Sequence, residues 1–491
     1  MRNTAVGRRG ARTYRNRLAS HLLFSEANFI MDLLGDLMQP LAARRRACCY
    51  AFLNLLFAIG VIHAASADER GDDASINGFP SPPETRRLAP EELNALLPKG
   101  FLTLFPPVED TLLGDTGGWR SGIGKYGIGF SLFSSGYAGV NVLNGQRTPQ
   151  RYDKQSFSVT AAVAGTLTLN LDRIFHIPNA QFLISAEWIG TTFNPVGPRA
   201  VNMNDLLYYQ TFFNGKLGLQ IGYLENDVNY ANPLVGPTII TPPLGPLSII
   251  PYEVGMSRRP FSSPGMNVEV KPDKRIYLKG GIQRSLNPQG PEVEHNQNPT
   301  GFRFRAPGDG WMVLGEAGYD TGLVAGERRC WIRGGGQYNW SSYLHFDTGR
   351  TGRGNWCAYL FADQQLTQPD PTIPLKGIYL GGTCAYASPE QNVFSQYYEG
   401  RIYGFGLFPT RELDQWEVSV DYNKWSSYAG RAVNRAGIKS YGDSTSVNVG
   451  YTARLRPGMY VGPVIAYLIH PAFTPRLHDA LTVSFDFSLA L

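Results

Sequence analysis

The sequence has little of what a helical membrane protein or a soluble enzyme needs. After residue 67, no stretch of the 491-residue chain supplies the roughly 20 consecutive apolar residues that a spanning helix requires. The mean hydropathy is −0.20, and charged residues make up only 17% of the chain, against about 25% in soluble domains. These shortages exclude a bundle of membrane helices. They favour a chain whose alternate residues face lipid and water.

Cysteine and histidine are also scarce, with five and seven residues respectively. Two cysteines lie in the first 67 residues, and Cys330, Cys357 and Cys384 are too far apart for a C-x-x-C metal pair. These three form either one disulfide with a free thiol or three buried thiols on neighbouring strands. The histidines after residue 67 stand neither beside a serine nucleophile nor at metal-ligand spacing. The sequence therefore predicts a protein that is not an enzyme, with no catalytic residue, cofactor or metal site.

The basic excess of the chain is confined to its first 67 residues. The formal net charge is +5, but residues 1–67 carry nine arginines and three acids, so the remainder is nearly neutral and does not indicate nucleic-acid binding. Arg44–Arg46, the apolar stretch Ala47–Ile62 and the small residues Ala65–Ala67 match a secretory signal. We expect a cleaved signal peptide, with an uncleaved anchor as the alternative. The translation start is open between Met1, Met31 and Met38.

From about Gly122 to the end, the sequence alternates with a period of two. In the last segment Leu481, Val483 and Phe485 alternate with Thr482 and Ser484, over about eleven residues, which is the length of a tilted membrane strand. A long soluble strand at a chain end would leave an exposed edge, whereas a closed barrel has none. The same alternation recurs at residues 128–132, 157–163, 276–279, 302–305, 418–423 and 447–456.

The length of the alternating region predicts the size of the barrel. About 370 residues follow residue 118, and roughly 22–24 residues per strand and connection give about 16 strands. We therefore predict an all-β fold, an antiparallel up-and-down transmembrane barrel wide enough to enclose an aqueous channel. Turn-rich residues 232–251 and 285–300 are expected to be extracellular loops.

The segment before the barrel differs from the rest. Residues 68–118 are rich in proline, and Pro90 with Glu91 and Glu92 predicts a short helix that continues into leucines, because proline and acids suit a first helical turn. We divide the chain into an N-terminal extension with its signal (1–67), a periplasmic or lumen-lying segment (68–118) and the outer-membrane barrel (119–491).

Five segments resemble a known family when taken in order: Asp115–Gly122, Leu217–Gly222, Gly315–Tyr319, Ala362–Leu366 and Gly404–Asp414. Over about residues 112–491 the chain is similar to the carbohydrate-selective porins of the OprB type. The resemblance implies a 16-stranded bacterial outer-membrane channel, monomeric or trimeric, that favours glucose and related sugars. The chain departs from the usual pattern at its end, where Leu491 stands in place of an aromatic residue.

Charged residues on the inward parity are the candidates for contact with a solute. A sugar needs hydrogen-bond donors and acceptors in fixed positions, and arginine offers a planar fork of five donors. A role as a rim charge, turn charge or structural ion pair is the alternative for each, above all for Arg411 with Asp414, which can pair at a turn. The candidates are Arg120, Arg303, Arg305, Glu316, Arg401, Arg411, Asp414 and Asp421.

The function that follows is a passive outer-membrane porin. We expect glucose-type monosaccharides and related small solutes to diffuse through a polar, arginine-lined channel, with carbohydrates and outer-membrane lipid as its partners. The alternative is an outer-membrane channel or accessory partner of a polysaccharide secretion system. Such channels carry periplasmic helical repeats or work beside a helical scaffold, and residues 68–118 are too short for repeats.

Overall fold

Sixteen antiparallel strands close into one barrel. The computed structural model describes residues 87–102, 105–144, 149–193, 200–233 and 248–491, so the predicted signal peptide lies outside the described residues. Every strand pairs with its sequence neighbours, and β16 pairs with β1 to close the barrel. The predicted up-and-down barrel of about 16 strands is confirmed. The strands are β1 Ile128–Asn141, β2 Ser158–Asn170, β3 Ala180–Thr191, β4 Ala200–Phe212, β5 Leu217–Leu224, β6 Ser263–Val270, β7 Ile276–Arg284, β8 Trp311–Asp320, β9 Cys330–Leu344, β10 Thr351–Gln365, β11 Gly377–Ala387, β12 Phe394–Phe405, β13 Gln415–Trp425, β14 Asp443–Arg456, β15 Met459–Ile469 and β16 Ala480–Ala490.

Short helices lie before the barrel and in its connections. The helix predicted near Pro90 is present, with Pro90 in its first turn and the Glu92 carboxylate accepting a 3.0 Å hydrogen bond from the Ala89 N–H. In the described part of the chain, no helix is long and apolar enough to cross a membrane. The α-helices are α1 Pro90–Asn94, α2 Trp119–Gly124, α3 Leu171–Phe175, α4 Ile250–Glu253, α5 Pro291–Gln297 and α6 Ser427–Arg435, and 3₁₀ turns cover Val108–Asp110, Thr116–Gly118 and Asn226–Val228.

Alternation sorts the strand residues between the two faces of the wall. In β16, Val483 and Phe485 are exposed on the outer face, while Thr482, Ser484 and Asp486 are buried on the inner face. Successive side chains of a strand point to opposite sides, so one strand presents an apolar and a polar face. The same sorting holds in β7, β8, β13 and β14, where the exposed residues are Ile276, Leu278, Val313, Val418, Val420, Val447 and Val449.

The connections at the two ends of the barrel differ in length. At the end that carries residues 87–102, 105–127 and Leu491, the connections include the turns 213–216, 271–275 and 457–458. At the opposite end lie the long connections 225–262, 285–310 and 426–442. Outer-membrane barrels have short periplasmic turns and long extracellular loops, so we assign the long-loop end to the extracellular side. The turn-rich stretches predicted as loops fall in these connections, residues 234–247 lying outside the described chain.

One predicted strand is wrong. Residues 302–305, in which Phe302 and Phe304 alternate with Arg303 and Arg305, lie in the β7–β8 connection, and β8 begins only at Trp311. Alternation over four residues is too short to define a strand. Glycines with positive φ angles stand on both sides of it, at positions 301 and 308, and interrupt extended pairing.

The three cysteines of the barrel are free thiols. Cys330, Cys357 and Cys384 lie on the neighbouring strands β9, β10 and β11. Cys357 is buried and the other two are half-buried. The choice left open by the sequence is therefore decided in favour of unpaired thiols.

Candidate functional site

The interior of the barrel is partly filled by the β5–β6 connection. We call its described residues, 225–233 and 248–262, the inward connection. Tyr230 and Ala231 are fully buried, and the Ala231 N–H donates a 3.0 Å hydrogen bond to Glu316 Oε2 on β8. Lys279 Nζ on β7 donates to the Asn229 carbonyl at 3.2 Å. The backbone of this connection is therefore bonded directly to inward side chains of the wall.

Apolar contacts continue the attachment further round the barrel. Ile250 and Val254, in and just after α4, pack with Cys357, Tyr359 and Phe361 of β10 in a buried cluster that also reaches β11 and β12. Burying apolar side chains of this size contributes about 1.5–3 kcal/mol each. Hydrogen bonds and packing together fix the inward connection against the inner face of β6–β12. We call this face the covered wall.

Buried charges cross the covered wall in a ladder. Arg401 Nη2 of β12 lies 2.6 Å from Asp363 Oδ1 of β10, and Arg401 Nη1 lies 2.8 Å from Glu399 Oε2. Arg333 Nη1 of β9 reaches the other Asp363 oxygen at 3.4 Å. All four side chains are at least nine-tenths buried. Each charge has a partner of opposite sign, which compensates the cost of removing it from water.

Two glycines allow side chains to reach across a whole strand. A Cβ at Gly381 of β11 would lie 2.6 Å from both Arg401 Nε and Asp363 Oδ1. Any side chain at this position would therefore block the contact between Arg401 of β12 and Asp363 of β10. A Cβ at Gly335 of β9 would likewise lie 2.5 Å from the Tyr359 hydroxyl. Through that gap, Tyr359 Oη donates to Glu316 Oε2 at 3.0 Å. We call these contacts strand-skipping bonds.

The inner face of β13–β16, which we call the polar wall, has a different character. Asp421 of β13 accepts hydrogen bonds from Ser446 Oγ and from Asn448 Nδ2 of β14, the latter at 3.1 Å. Asn448 Nδ2 also lies within 3.4 Å of Ser419 Oγ. Asp421, Ser446 and Asn448 are only half-buried. A carboxylate, an amide and hydroxyl groups thus stand together at the edge of the lumen.

The segment before β1 contacts the barrel from its short-turn end. The Leu96 carbonyl accepts a 2.5 Å hydrogen bond from Thr168 Oγ1, and the Gly100 carbonyl accepts one from Gln220 Nε2 at 2.9 Å. The Leu102 N–H donates to the Val228 carbonyl of the inward connection at 3.2 Å. Residues 96–102 therefore run along inward side chains of β2–β5.

The sequence-predicted site residues fall into three groups. Glu316, Arg401 and Asp421 lie on the inner face, the first two on the covered wall and the third on the polar wall. Arg411 and Asp414 lie in the β12–β13 connection at the short-turn end, where Arg411 Nε is 2.7 Å from Asp414 Oδ2.

The other predicted arginines lie outside the strands. Arg120 of α2 is buried and donates to the Gly114 and Phe130 carbonyls at 2.9 and 2.5 Å, and burial lowers the pKa of its guanidinium. Arg303 and Arg305 are exposed in the β7–β8 connection, so the inward parity assigned to them does not apply.

Sequence reasoning missed Arg333, Asp363 and Glu399. Asp363 belongs to a segment already matched to the family, and its parity in β10 is inward. The sequence gives no sign that its partner lies 38 residues later. Arg333 is followed by three glycines, which hide the alternation around it.

An open hollow of about 550 Å³ lies at the long-loop end. Asp347 of the β9–β10 connection lines it together with Arg431, Asn434 and Arg435, which come from α6. Beside it, Phe346 packs with Ala429 and Ala432 of the same helix. This hollow is open to the solvent on the side from which an external solute would arrive.

Comparison with known proteins decides the family. Residues 134–489 match the family model of the carbohydrate-selective porin, OprB family. The chain belongs to this family. As an OprB-family porin it is located in the bacterial outer membrane. No curated protein sequence matches the chain.

The chain was compared with solved structures as well. The high-pH structure of Pseudomonas putida OprB has a TM-score of 0.67 and 16% identity, and the match covers 78% of this chain and 99% of that chain. Its low-pH structure has a TM-score of 0.49 at 13% identity, with 78% and 98% covered. Salmonella typhi OmpF in complex with daunomycin has a TM-score of 0.44 at 10% identity, with 74% and 97% covered. The first likeness supports the barrel fold of this OprB-family porin.

Proposed function

We propose that the barrel passes small neutral sugars, of the glucose type, by passive diffusion along the polar wall. The inward connection is attached to β6–β12, so the polar wall is the side of the lumen on which we expect solutes to move. This proposal rests on one observation, namely that Asp421, Ser446 and Asn448 stand together, hydrogen-bonded and half-buried, at the edge of the lumen. An array of this kind offers acceptors and donors at fixed positions, as recognition of a hydroxyl-rich solute requires.

Membership of a carbohydrate-selective family supports the same substrate class. The chemistry of the covered wall favours a neutral solute, because its arginines Arg333 and Arg401 are held in buried ion pairs. Paired guanidinium groups have little charge left to attract an anion. We therefore assign the arginines of the covered wall to shaping the lumen and the polar wall to contacting the sugar.

Residues 68–118 fit into the same proposal as a segment at the periplasmic end. The bonds of residues 96–102 to Thr168, Gln220 and Val228 support a position partly inside the lumen. We propose that this segment narrows the periplasmic exit along β2–β5 through residues 96–102, and along β14–β15 through Asp110, which pairs with Arg454 and accepts a hydrogen bond from the Tyr460 hydroxyl.

Single-channel conductance titrated with glucose tests the proposal. We expect glucose to reduce the current of the wild type in a saturable way. Asp421→Ala combined with Asn448→Ala should weaken the block about tenfold, because each lost hydrogen bond is worth roughly 0.5–1.5 kcal/mol. Liposome swelling provides the second measurement. If glucose and arabinose enter no faster than amino acids of similar size, the sugar preference is wrong.

A further inference from the structure

The β7–β8 connection returns over the outside of the barrel. Tyr223 shares the outward parity of the exposed Ile221 on β5, and its hydroxyl donates a 2.7 Å hydrogen bond to the Phe302 carbonyl. The Tyr223 and Phe302 rings pack edge to face with centroids 5.9 Å apart. The connection that joins β7 to β8 therefore extends back across the outer surface as far as β5.

A second contact shows how far the connection reaches. Met203 of β4 has outward parity, yet it is only 6% exposed. A Cβ at Gly301 would lie 3.6 Å from Met203 Cβ, so the backbone at Gly301 covers this side chain. Phe304 packs against Trp311 at the start of β8, with centroids 5.6 Å apart. Residues 301–305 thus lie along the outer rim of the long-loop end, from β4 to β8. We call them the outer strip.

The outer strip is held in place by buried charges within its own connection. Arg284 Nη2 lies 2.6 Å from Glu294 Oε1, and Arg284 also pairs with Asp309. Glu294 accepts a 3.1 Å hydrogen bond from Asn298 Nδ2, while Asn298 Oδ1 accepts one from the Arg303 N–H at 2.9 Å. A chain of hydrogen bonds therefore runs from the end of β7 to the outer strip. Its shape is set before any ligand arrives, which reduces the entropic cost of binding.

The outer strip exposes two aromatic rings and two cations side by side. Phe302 and Phe304 are 54% and 55% exposed, and Arg303 and Arg305 are exposed beside them. Among the described residues, neither guanidinium group has a hydrogen-bond or ion-pair partner. Exposed aromatic residues at the rim of a barrel mark the membrane interface. Arginine is suited to phosphate because its planar fork forms two parallel hydrogen bonds with it.

We propose that the outer strip binds phosphorylated head groups of lipids in the outer leaflet of the outer membrane. Phe302 and Phe304 enter the boundary between acyl chains and head groups, while Arg303 and Arg305 contact the lipid phosphates. The long-loop end faces the cell exterior, so these side chains stand at the height of the outer-leaflet head groups. The site is separate from the lumen and does not depend on which solute the channel carries.

Native mass spectrometry of the folded, detergent-solubilised barrel tests this proposal, with diphosphorylated lipid A as the probe. We expect the wild type to bind the lipid, and Arg303→Gln with Arg305→Gln to weaken binding about tenfold or more, since charge-assisted hydrogen bonds to phosphate are roughly twice as strong as neutral ones. Lipid A from which the phosphates have been removed should bind the wild type as weakly as diphosphorylated lipid A binds the double variant.

A matched control distinguishes the effect of where the two arginines lie from the effect of removing two positive charges. Lys274 and Arg328 are exposed cations in connections of the opposite, short-turn end, and changing both to glutamine removes the same charge. This control should bind diphosphorylated lipid A like the wild type. The proposal is overturned if the Arg303–Arg305 variant, shown to be folded by its heat-dependent gel mobility, retains wild-type affinity, or if the control loses as much.

Discussion

The covered wall and the polar wall are built from the same alternation, yet they use their inward residues in opposite ways. The covered wall uses large side chains, Arg333, Tyr359 and Arg401, whose polar atoms are bonded within the protein. Around Asp421 the polar wall uses short ones, Ser446 and Asn448, which are bonded to neighbours but half-exposed. Long inward side chains fill a barrel and fix its shape. Short polar ones leave room and hydrogen-bonding capacity for a solute.

The largest effect should come from breaking the charge ladder of the covered wall. Asp363→Ala leaves Arg333 and Arg401 buried without the carboxylate they share, and removing one partner of a buried pair costs about 3–5 kcal/mol. We expect a large loss in the free energy of unfolding, measured by urea titration in lipid vesicles. Asp421→Ala on the polar wall is the matched control and should cost about 1 kcal/mol, because water can replace the lost partner. Equal losses at the two positions would contradict the division into two walls.

A smaller effect is expected at the anchor of the inward connection. Glu316 accepts hydrogen bonds from the Ala231 N–H, the Tyr277 hydroxyl and the Tyr359 hydroxyl. Glu316→Ala leaves these buried donors unpaired, at about 1–3 kcal/mol each, so the connection should loosen. We expect noisier single-channel current and higher mean conductance.

Asn448→Ala serves as the control for this measurement, since it removes a polar side chain from the opposite wall. It should leave the open-channel noise as it is in the wild type. A quiet, unchanged current in Glu316→Ala would show that this carboxylate does not hold the connection.

The smallest expected effect is a dependence of the channel conductance on pH. Glu253 of α4 accepts a 3.0 Å hydrogen bond from the Phe394 N–H, and burial raises the pKa of its carboxyl to about 8. A raised pKa means that the docked carboxyl binds its proton more tightly than the free one. Docking of α4 is therefore favoured at low pH and weakens as pH rises from about 5 to about 9.

Conductance recorded across this range provides the measurement. The wild type should become more conductive and noisier toward pH 9, and Glu253→Gln should remove that part of the change, because glutamine stays neutral. If both proteins show the same pH profile, another group is responsible.

The barrel itself could be predicted because its signal repeats. The alternation recurs in strands from β1 to β16, and the run in β13 predicted correctly that Asp421 points inward. At Phe302–Arg305 the alternation covers only four residues and did not predict a strand correctly, because glycines with positive φ angles on either side form turns. The same aromatic and arginine residues then lie on the outer rim.

The arrangement inside the barrel could not be predicted. A connection rich in asparagine and proline has the same composition whether it folds into the lumen or away from it. Partners far along the chain direct the inward connection into the lumen, among them Glu316, Arg333 and Phe394. The pairing of Asp363 with Arg401 likewise depends on Gly381, whose role is visible only when three strands lie side by side.

The strand-skipping bonds have a mechanical consequence. In an ordinary barrel each strand is joined only to its two neighbours, so the wall can flex at every seam. Between β8 and β12, Tyr359 and Arg401 tie strands that are two apart, and bending any one seam there strains a bond that spans it. In β13–β16, the bonds from Asn448 to Asp421 and from Thr482 to the Ala466 carbonyl join adjacent strands. Under lateral pressure from the membrane, the sector from β8 to β12 behaves as a stiff arch, and the cross-section of the pore changes shape along the polar wall.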